Sequence, residues 1–347
     1  MTARVEVLSP GTRSARVSTL HAPAAREGIL ELAGPWPLHH HGELSDVRIA
    51  WRMSGPEEAP VVCALGGISA HRRVCLGADA RDGWWSDIAG PGKPLDADRF
   101  RILSFDFLGG SGESTGPKSG ETDFPSISTF DQARVLERLL DALGIGALRA
   151  IAGGSYGGMV GLAFAERYPD RVANLLVIGA SDRAHPMSSA WRSTQRRMVR
   201  FAIAAGQPAQ GMELARALAM TTYRSAEEFA ARFDGPPERV AGRFEFPVEQ
   251  YLAARGRDYA SQYSAESFLC LSESIDLHRV EVARIFVPTT VVGIREDRLV
   301  PLPDLRAMVA RLQHGRLHEL SSVFGHDAFL KETDQLRSIF ANVLGVA

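Results

Sequence analysis

The 347-residue chain predicts an α/β protein: a mainly parallel sheet covered by helices, with an all-helical block inserted in it. Three observations carry this prediction. Short, continuously apolar runs end in glycines and alternate with helical periodicities, as expected of strands buried on both faces and joined by crossover helices. The stretch Gly153-Gly154-Ser155-Tyr156-Gly157 lies between a strand pattern at 148–152 and a helical pattern running through 165. That context suits a tight turn that displays a serine hydroxyl above a sheet edge. Finally, strand patterns cease near residue 183 and helical ones follow one another until about 282.

Composition narrows the class. The 45% hydrophobic and 23% charged content is that of an ordinary soluble globular chain. A formal net charge of -2 argues against a broad nucleic-acid surface or a polybasic membrane anchor. There is no run of eighteen apolar residues, so no spanning helix is expected. Residues 1–20 mix Arg, Ser and Thr with single apolar residues, unlike a signal peptide. Cys63, Cys75 and Cys270 are too dispersed for a metal site or a disulfide framework. A cytoplasmic protein without a metal is the expectation.

Taken in order, residues 1–40 are rich in Ala, Arg, Pro and Gly, show little periodicity, and read as a poorly ordered segment. His39-His40-His41 looks like a metal cluster, but adjacent side chains diverge on a strand or a helix, which favours solvated imidazoles. Residues 47–51 alternate as a strand does. Residues 60–65 form a buried strand ending in Gly66-Gly67, where a backbone loop can approach a ligand closely. Residues 100–106 form the next, followed by Gly109-Gly110-Ser111-Gly112, which lacks the Lys-Ser/Thr ending of a phosphate-binding P-loop. An amphipathic helix spans 129–143, with Gly144 beyond its end. After the serine turn come a strand at 172–178 and helices at 190–205, 211–220, 226–233, 247–255 and 264–274. A strand at 287–293, a helix at 304–312, a strand at 316–320 and a helix at 335–344 complete the chain. The predicted division is 41–183 with 282–347 as core and 184–281 as a helical cap.

The serine turn sets the chemistry. A serine hydroxyl is a weak nucleophile at neutral pH and needs a base, which in turn needs an orienting carboxylate. In this kind of fold the acid follows the serine in the chain and the histidine follows the acid. Asp297 lies just after a buried strand and His326 lies after the last one, where α/β sites sit. Glu296 and Asp327 compete for the acid role. Two N–H groups are needed for the charge that develops on a carbonyl oxygen. The backbone of Tyr156 is one candidate, and Gly67 or Ile68 the other. A glycine-rich packing turn or a phosphate loop is the alternative reading of the same five residues.

The chain resembles the homoserine O-acyltransferases of the α/β-hydrolase fold. The likeness rests on Gly66-Gly67-Ile68-Ser69-Ala70-His71, Gly83-Trp84-Trp85, Gly90-Pro91-Gly92-Lys93-Pro94-Leu95-Asp96 and residues 109–117. Asp123-Phe124-Pro125-Ser126-Ile127, 153–159, 168–172, Thr222-Tyr223-Arg224, 246–252 and Gly325-His326-Asp327-Ala328-Phe329-Leu330 extend it. The resemblance implies an acyl-enzyme on Ser155 within a Ser155, Asp297, His326 triad. It implies CoA thioesters and L-homoserine as substrates, no bound cofactor, and a homodimer serving methionine synthesis. It also implies that Arg216 and Asp327 hold homoserine, consistent with a guanidinium forked onto an α-carboxylate and a carboxylate paired to an ammonium.

Two departures from the acetyl-transferring members bear on the acyl donor. Tyr156 stands where a methionine or phenylalanine is usual, and Arg192 where those members tend to be uncharged. A succinyl group carries a second carboxylate that must be paired once water is excluded. Arg192 is the expected partner, and succinyl-CoA the expected donor, with acetyl-CoA, a serine acceptor or plain ester hydrolysis as rivals.

Overall fold

Strands buried over their whole length form the centre of the sheet. In the computed structural model, which describes residues 25–75, 83–121 and 123–345, they are β3 (Val61–Leu65), β5 (Ala150–Gly154) and β6 (Leu175–Ile178). The other five are β1 (Ala25–Pro37), β2 (Glu43–Ser54), β4 (Arg101–Phe105), β7 (Thr289–Ile294) and β8 (Gly315–Leu320). Their order across the sheet is β1-β2-β4-β3-β5-β6-β7-β8. β2 pairs antiparallel with β1 and β4, and every later pairing is parallel. Parallel pairing needs long crossovers, and helices supply them.

Helices α1 (Thr129–Ala142) and α2 (Tyr156–Arg167) cover one face through Leu136, Leu140, Val160 and Phe164, all fully buried. α1 starts at a reciprocal cap: the Ser128 side chain accepts from the Asp131 N–H, and the Asp131 carboxylate accepts from the Ser128 N–H. The other face packs against Trp85, Phe329 and Phe340. Between β6 and β7 come α3 (Pro186–Ala204), α4 (Pro208–Tyr223), α5 (Ala226–Phe233), α6 (Pro247–Ala260) and α7 (Ala265–Leu277). α3, α4, α6 and α7 share a core of their own around Val199, Met212, Tyr259 and Phe268. α8 (Leu302–Val309), α9 (Ala328–Lys331) and α10 (Thr333–Leu344) complete the set. Among the described residues no helix is long and apolar enough to cross a membrane.

Two expectations need correction. Residues 25–37 are not disordered: they form the edge strand β1, hydrogen-bonded to β2 with a register shift between Leu32 and Pro35. One face of β1 meets solvent while Leu30 and Leu32 pack on the core, so its apolar signal is diluted. Glu27 on this strand pairs with Arg52, Arg72 and Arg73. Residues 1–24 lie outside the described part. The inserted block, expected to be all helix, also holds a hairpin, Glu238–Val240 with Arg243–Glu245. Its turn residues Ala241 and Gly242 both have positive φ (48° and 84°), the backbone of a two-residue hairpin turn. Strands of three mostly exposed residues leave no periodicity to read. The His39 ring bonds Ser128 Oγ at 3.1 Å and packs tilted on Phe130. Among the described residues no group of three His, Cys, Asp or Glu side chains is placed to hold a metal ion.

Candidate active site

The turn from β5 into α2 forces Ser155 to φ 53° and ψ -121°, a backbone that L-residues avoid. Such strain costs on the order of 1–3 kcal/mol and persists only where its surroundings hold it. The flanking glycines are required by contact distance. A Cβ on Gly153 would meet the Gly157 carbonyl carbon at 2.4 Å, and one on Gly157 would meet Leu65 O at 2.3 Å. The turn is locked by the Gly157 N–H donating to Gly66 O (2.8 Å) and the Ser155 N–H to Ile178 O (2.9 Å). The glycine-rich motif therefore exists to bring β3, β5 and α2 together under one serine.

Three residues far apart in sequence meet at this turn. Ser155 Oγ lies 2.9 Å from His326 Nε2, and His326 Nδ1 lies 2.7 Å from Asp297 Oδ2. The other Asp297 oxygen accepts from the Leu299 and Val300 N–H groups at 2.8 and 3.1 Å, which fixes the carboxylate. Glu296, the rival acid, points elsewhere: it accepts from Ser321 Oγ (2.5 Å) and the Ser322 N–H (2.8 Å), tying down the loop that leads to His326. Burial works to lower the His326 pKa, but the Asp297 charge and hydrogen bond, aided by Asp327, outweigh it and the net shift is upward from 6.5. An imidazole so placed can take the serine proton and hold the resulting charge.

A cavity of about 260 Å³ opens on Ser155 and His326 and also receives Gly67, Ile68, Arg192, Arg216 and Asp327. The Tyr156 N–H has no hydrogen-bond partner among the described residues, nor have those of Gly67 and Ile68. All three expected oxyanion donors are thus uncommitted. The Tyr156 side chain goes the other way, fully buried behind the turn, so it cannot touch an acyl group in the cavity.

Arg216 lies with its guanidinium carbon 4.7 Å from the Tyr259 ring centre and 5.2 Å from that of Tyr223. Among the described residues it has no carboxylate within ion-pair distance. Desolvation disfavours its charge, but Tyr223, Tyr259 and Asp327 more than compensate, and its pKa is raised. Rings supply attraction without filling the fork of N–H donors. Asp327 has its own partner, Arg224 Nε at 2.9 Å. Burial nonetheless keeps its pKa above the usual carboxylate value, against the opposing pull of Arg224, His326 and Arg216.

Arg192 is also paired, which the sequence did not reveal. Its Nε and Nη2 lie 2.8 and 2.6 Å from Asp276 Oδ1 on α7. Arg196 Nη1 reaches the other Asp276 oxygen at 2.7 Å. Asp276, Arg196, Arg224 and the tyrosines around Arg216 went unassigned at the sequence level. Thr222-Tyr223-Arg224 was visible as a motif, whereas Asp276 pairs with a residue 84 positions away and leaves no local signal.

The fold and the serine turn define an α/β hydrolase, and the profile of the alpha/beta hydrolase fold matches residues 60–333. Within that fold, the chain belongs to the homoserine O-acyltransferase family. It is 44% identical to a homoserine O-succinyltransferase of Xanthomonas campestris pv. campestris, over 93% of this chain and 85% of that protein. It is 35% identical to a serine O-succinyltransferase of Litchfieldella anticariensis, over 93% of this chain and 99% of that protein. Among solved structures, the homoserine O-acetyltransferase of Bacillus anthracis superposes with a TM-score of 0.83 over 92% of this chain and 97% of that one. At 18% identity that likeness concerns the fold.

Proposed function

We propose that the chain transfers a succinyl group from succinyl-CoA to the hydroxyl of L-homoserine through an acyl-enzyme on Ser155. The observation that carries this reading is the convergence, in one cavity, of the Ser155–His326–Asp297 hydrogen-bond chain and the uncommitted guanidinium of Arg216. His326 takes the Ser155 proton as Oγ attacks the thioester carbon, and the N–H groups of Tyr156 and of Gly67 or Ile68 stabilise the oxyanion. His326 then returns the proton to the departing CoA sulfur. In the second half, homoserine docks its α-carboxylate on Arg216 and its ammonium on Asp327. His326 removes the proton of the homoserine hydroxyl as its oxygen attacks the ester carbon, and returns that proton to Ser155 Oγ as the ester bond breaks and O-succinylhomoserine leaves.

The donor assignment rests on charge. Arg192 and Arg196 share one carboxylate, so the cluster retains a formal positive charge beside the cavity. A succinyl carboxylate is its natural complement, and the most similar relatives described above are named for succinyl transfer. One observation favours acetyl-CoA instead, because Asp276 already occupies two nitrogens of Arg192. With the family reading go a homodimer, a cytoplasmic setting, a role in methionine synthesis and a lid function for residues 184–281.

The test is a grid of succinyl-CoA and acetyl-CoA against homoserine, serine and no acceptor, following CoA release and product mass. O-succinylhomoserine as the main product supports the reading. CoA release that ignores both amino acids would reduce the protein to a hydrolase.

A further inference from the structure

We propose that Tyr156 is a positioning residue for the acylation step: its phenol registers helix α7, one wall of the cavity, against the turn that carries Ser155. The inference rests on the acyl-transfer reading above. The Tyr156 ring is fully buried and edge-on to Phe107, with centroids 5.0 Å apart. Its hydroxyl lies 2.7 Å from Ser274 Oγ on α7 and receives a bond from Gln132 Nε2 at 3.4 Å. The Gln132 amide has its orientation set by Leu108, whose N–H donates to Gln132 Oε1 (3.1 Å) and whose carbonyl accepts from Nε2 (2.8 Å). With a Gln132 proton directed at the phenol oxygen, the phenol's own proton is free to go to Ser274. Burial raises the phenol pKa far above its ordinary value, so that proton is always present.

What makes this bond more than core satisfaction is the other side of α7. Phe268, Ser272 and Ile275 recur at helical spacing and line the cavity, while Leu271 and Ser274, one turn apart, face the core. The first residue of α2 therefore carries both the backbone N–H assigned to the oxyanion and a side chain bonded to a helix that lines the cavity. Neither acceptor group is bonded to Tyr156: Asp327 follows His326, and Arg216 on α4 meets α7 through Tyr259, edge-on to Phe268, more than a turn before Ser274. Loosening α7 should thus disturb acylation of Ser155 more than its discharge.

Tyr156→Phe, Ser274→Ala and the double variant test this through the two half-reactions, which ping-pong kinetics reports separately. Rates are normalised to the fraction of protein labelled by a fluorophosphonate. Each single change is expected to lower kcat/KM for succinyl-CoA about tenfold, to leave kcat/KM for homoserine within about twofold, and to add nothing in the double variant. Equal losses on both substrates, or additive losses, overturn the proposal. Should Tyr156→Phe fail to fold, Ser274→Ala carries the same comparison alone. If the wild type does not acylate homoserine, the acyl-transfer reading falls. The positioning claim is then decided with p-nitrophenyl esters, where Tyr156→Phe must lower kcat/KM for nitrophenol release from the butyrate more than from the acetate, and equal lowering refutes it.

Discussion

Replacing Arg192 by alanine probes the donor assignment through charge alone. Two guanidiniums face one carboxylate at 2.6 and 2.7 Å, and all three side chains are 12–14% exposed. The substitution reduces the formal charge of the cluster from plus one to zero while Asp276 keeps Arg196, so the fold should hold. A hydrogen bond to a charged group contributes about 1.5–3 kcal/mol. Partial access to solvent favours the lower end. The expected loss in kcat/KM for succinyl-CoA is therefore about tenfold to a hundredfold. Acetyl-CoA lacks the second carboxylate and should lose less than about threefold, since no charged hydrogen bond is removed. Arg192→Lys should fall between, because an ammonium retains charge but not the fork. Initial rates of CoA release with each donor, at saturating homoserine, give the ratio directly. Equal losses with the two thioesters would refute charge pairing as the basis of donor choice.

Other expectations follow from the same geometry. Ser155→Ala should abolish fluorophosphonate labelling and lower kcat by several orders of magnitude; turnover within about tenfold of wild type would exclude Ser155 as the nucleophile. Because the His326 pKa is raised and the base must be neutral, kcat/KM should climb with pH to a half-point above 6.5. Asp297→Asn removes the principal raising charge, so the half-point should move down while the rate falls about 10⁴-fold; an unmoved half-point would contradict the assignment. His278, fully buried between Thr129 Oγ1 (2.8 Å) and Ser181 O (3.1 Å), has its pKa pushed down from 6.5 to about 4 by burial. The unfolded chain binds this proton first, so stability contributed by neutral His278 is lost as pH falls from 6.5 towards 4. At about 1.4 kcal/mol per pH unit the loss reaches about 3 kcal/mol. Urea unfolding of wild type and His278→Gln across that range should show the extra slope only in the wild type.

The catalytic candidates were legible because their constraints are local. Gly153 must be glycine for a contact within five residues, Asp297 follows a strand whose apolar run is visible, and His326 follows the last strand in the order the fold requires. β1 escaped notice because one of its faces meets solvent and its Gly34 and Pro35 interrupt the alternation. The partner of Arg192 was invisible because pairing across α3 and α7 depends on how two helices pack. Tyr156 shows both limits. Its backbone role follows from its place in the motif, whereas the direction of its side chain is decided by Gln132 and Ser274, 24 and 118 positions away.

In the proposed reaction the acyl group passes through Ser155 on its way to homoserine. Intact-protein mass spectrometry after mixing with succinyl-CoA alone, then with homoserine, tests it in one experiment. The expected result is a succinyl adduct that maps to Ser155 and vanishes on adding homoserine as O-succinylhomoserine forms. Product formation by an enzyme that never carries the adduct, or an adduct that homoserine leaves in place, would contradict it.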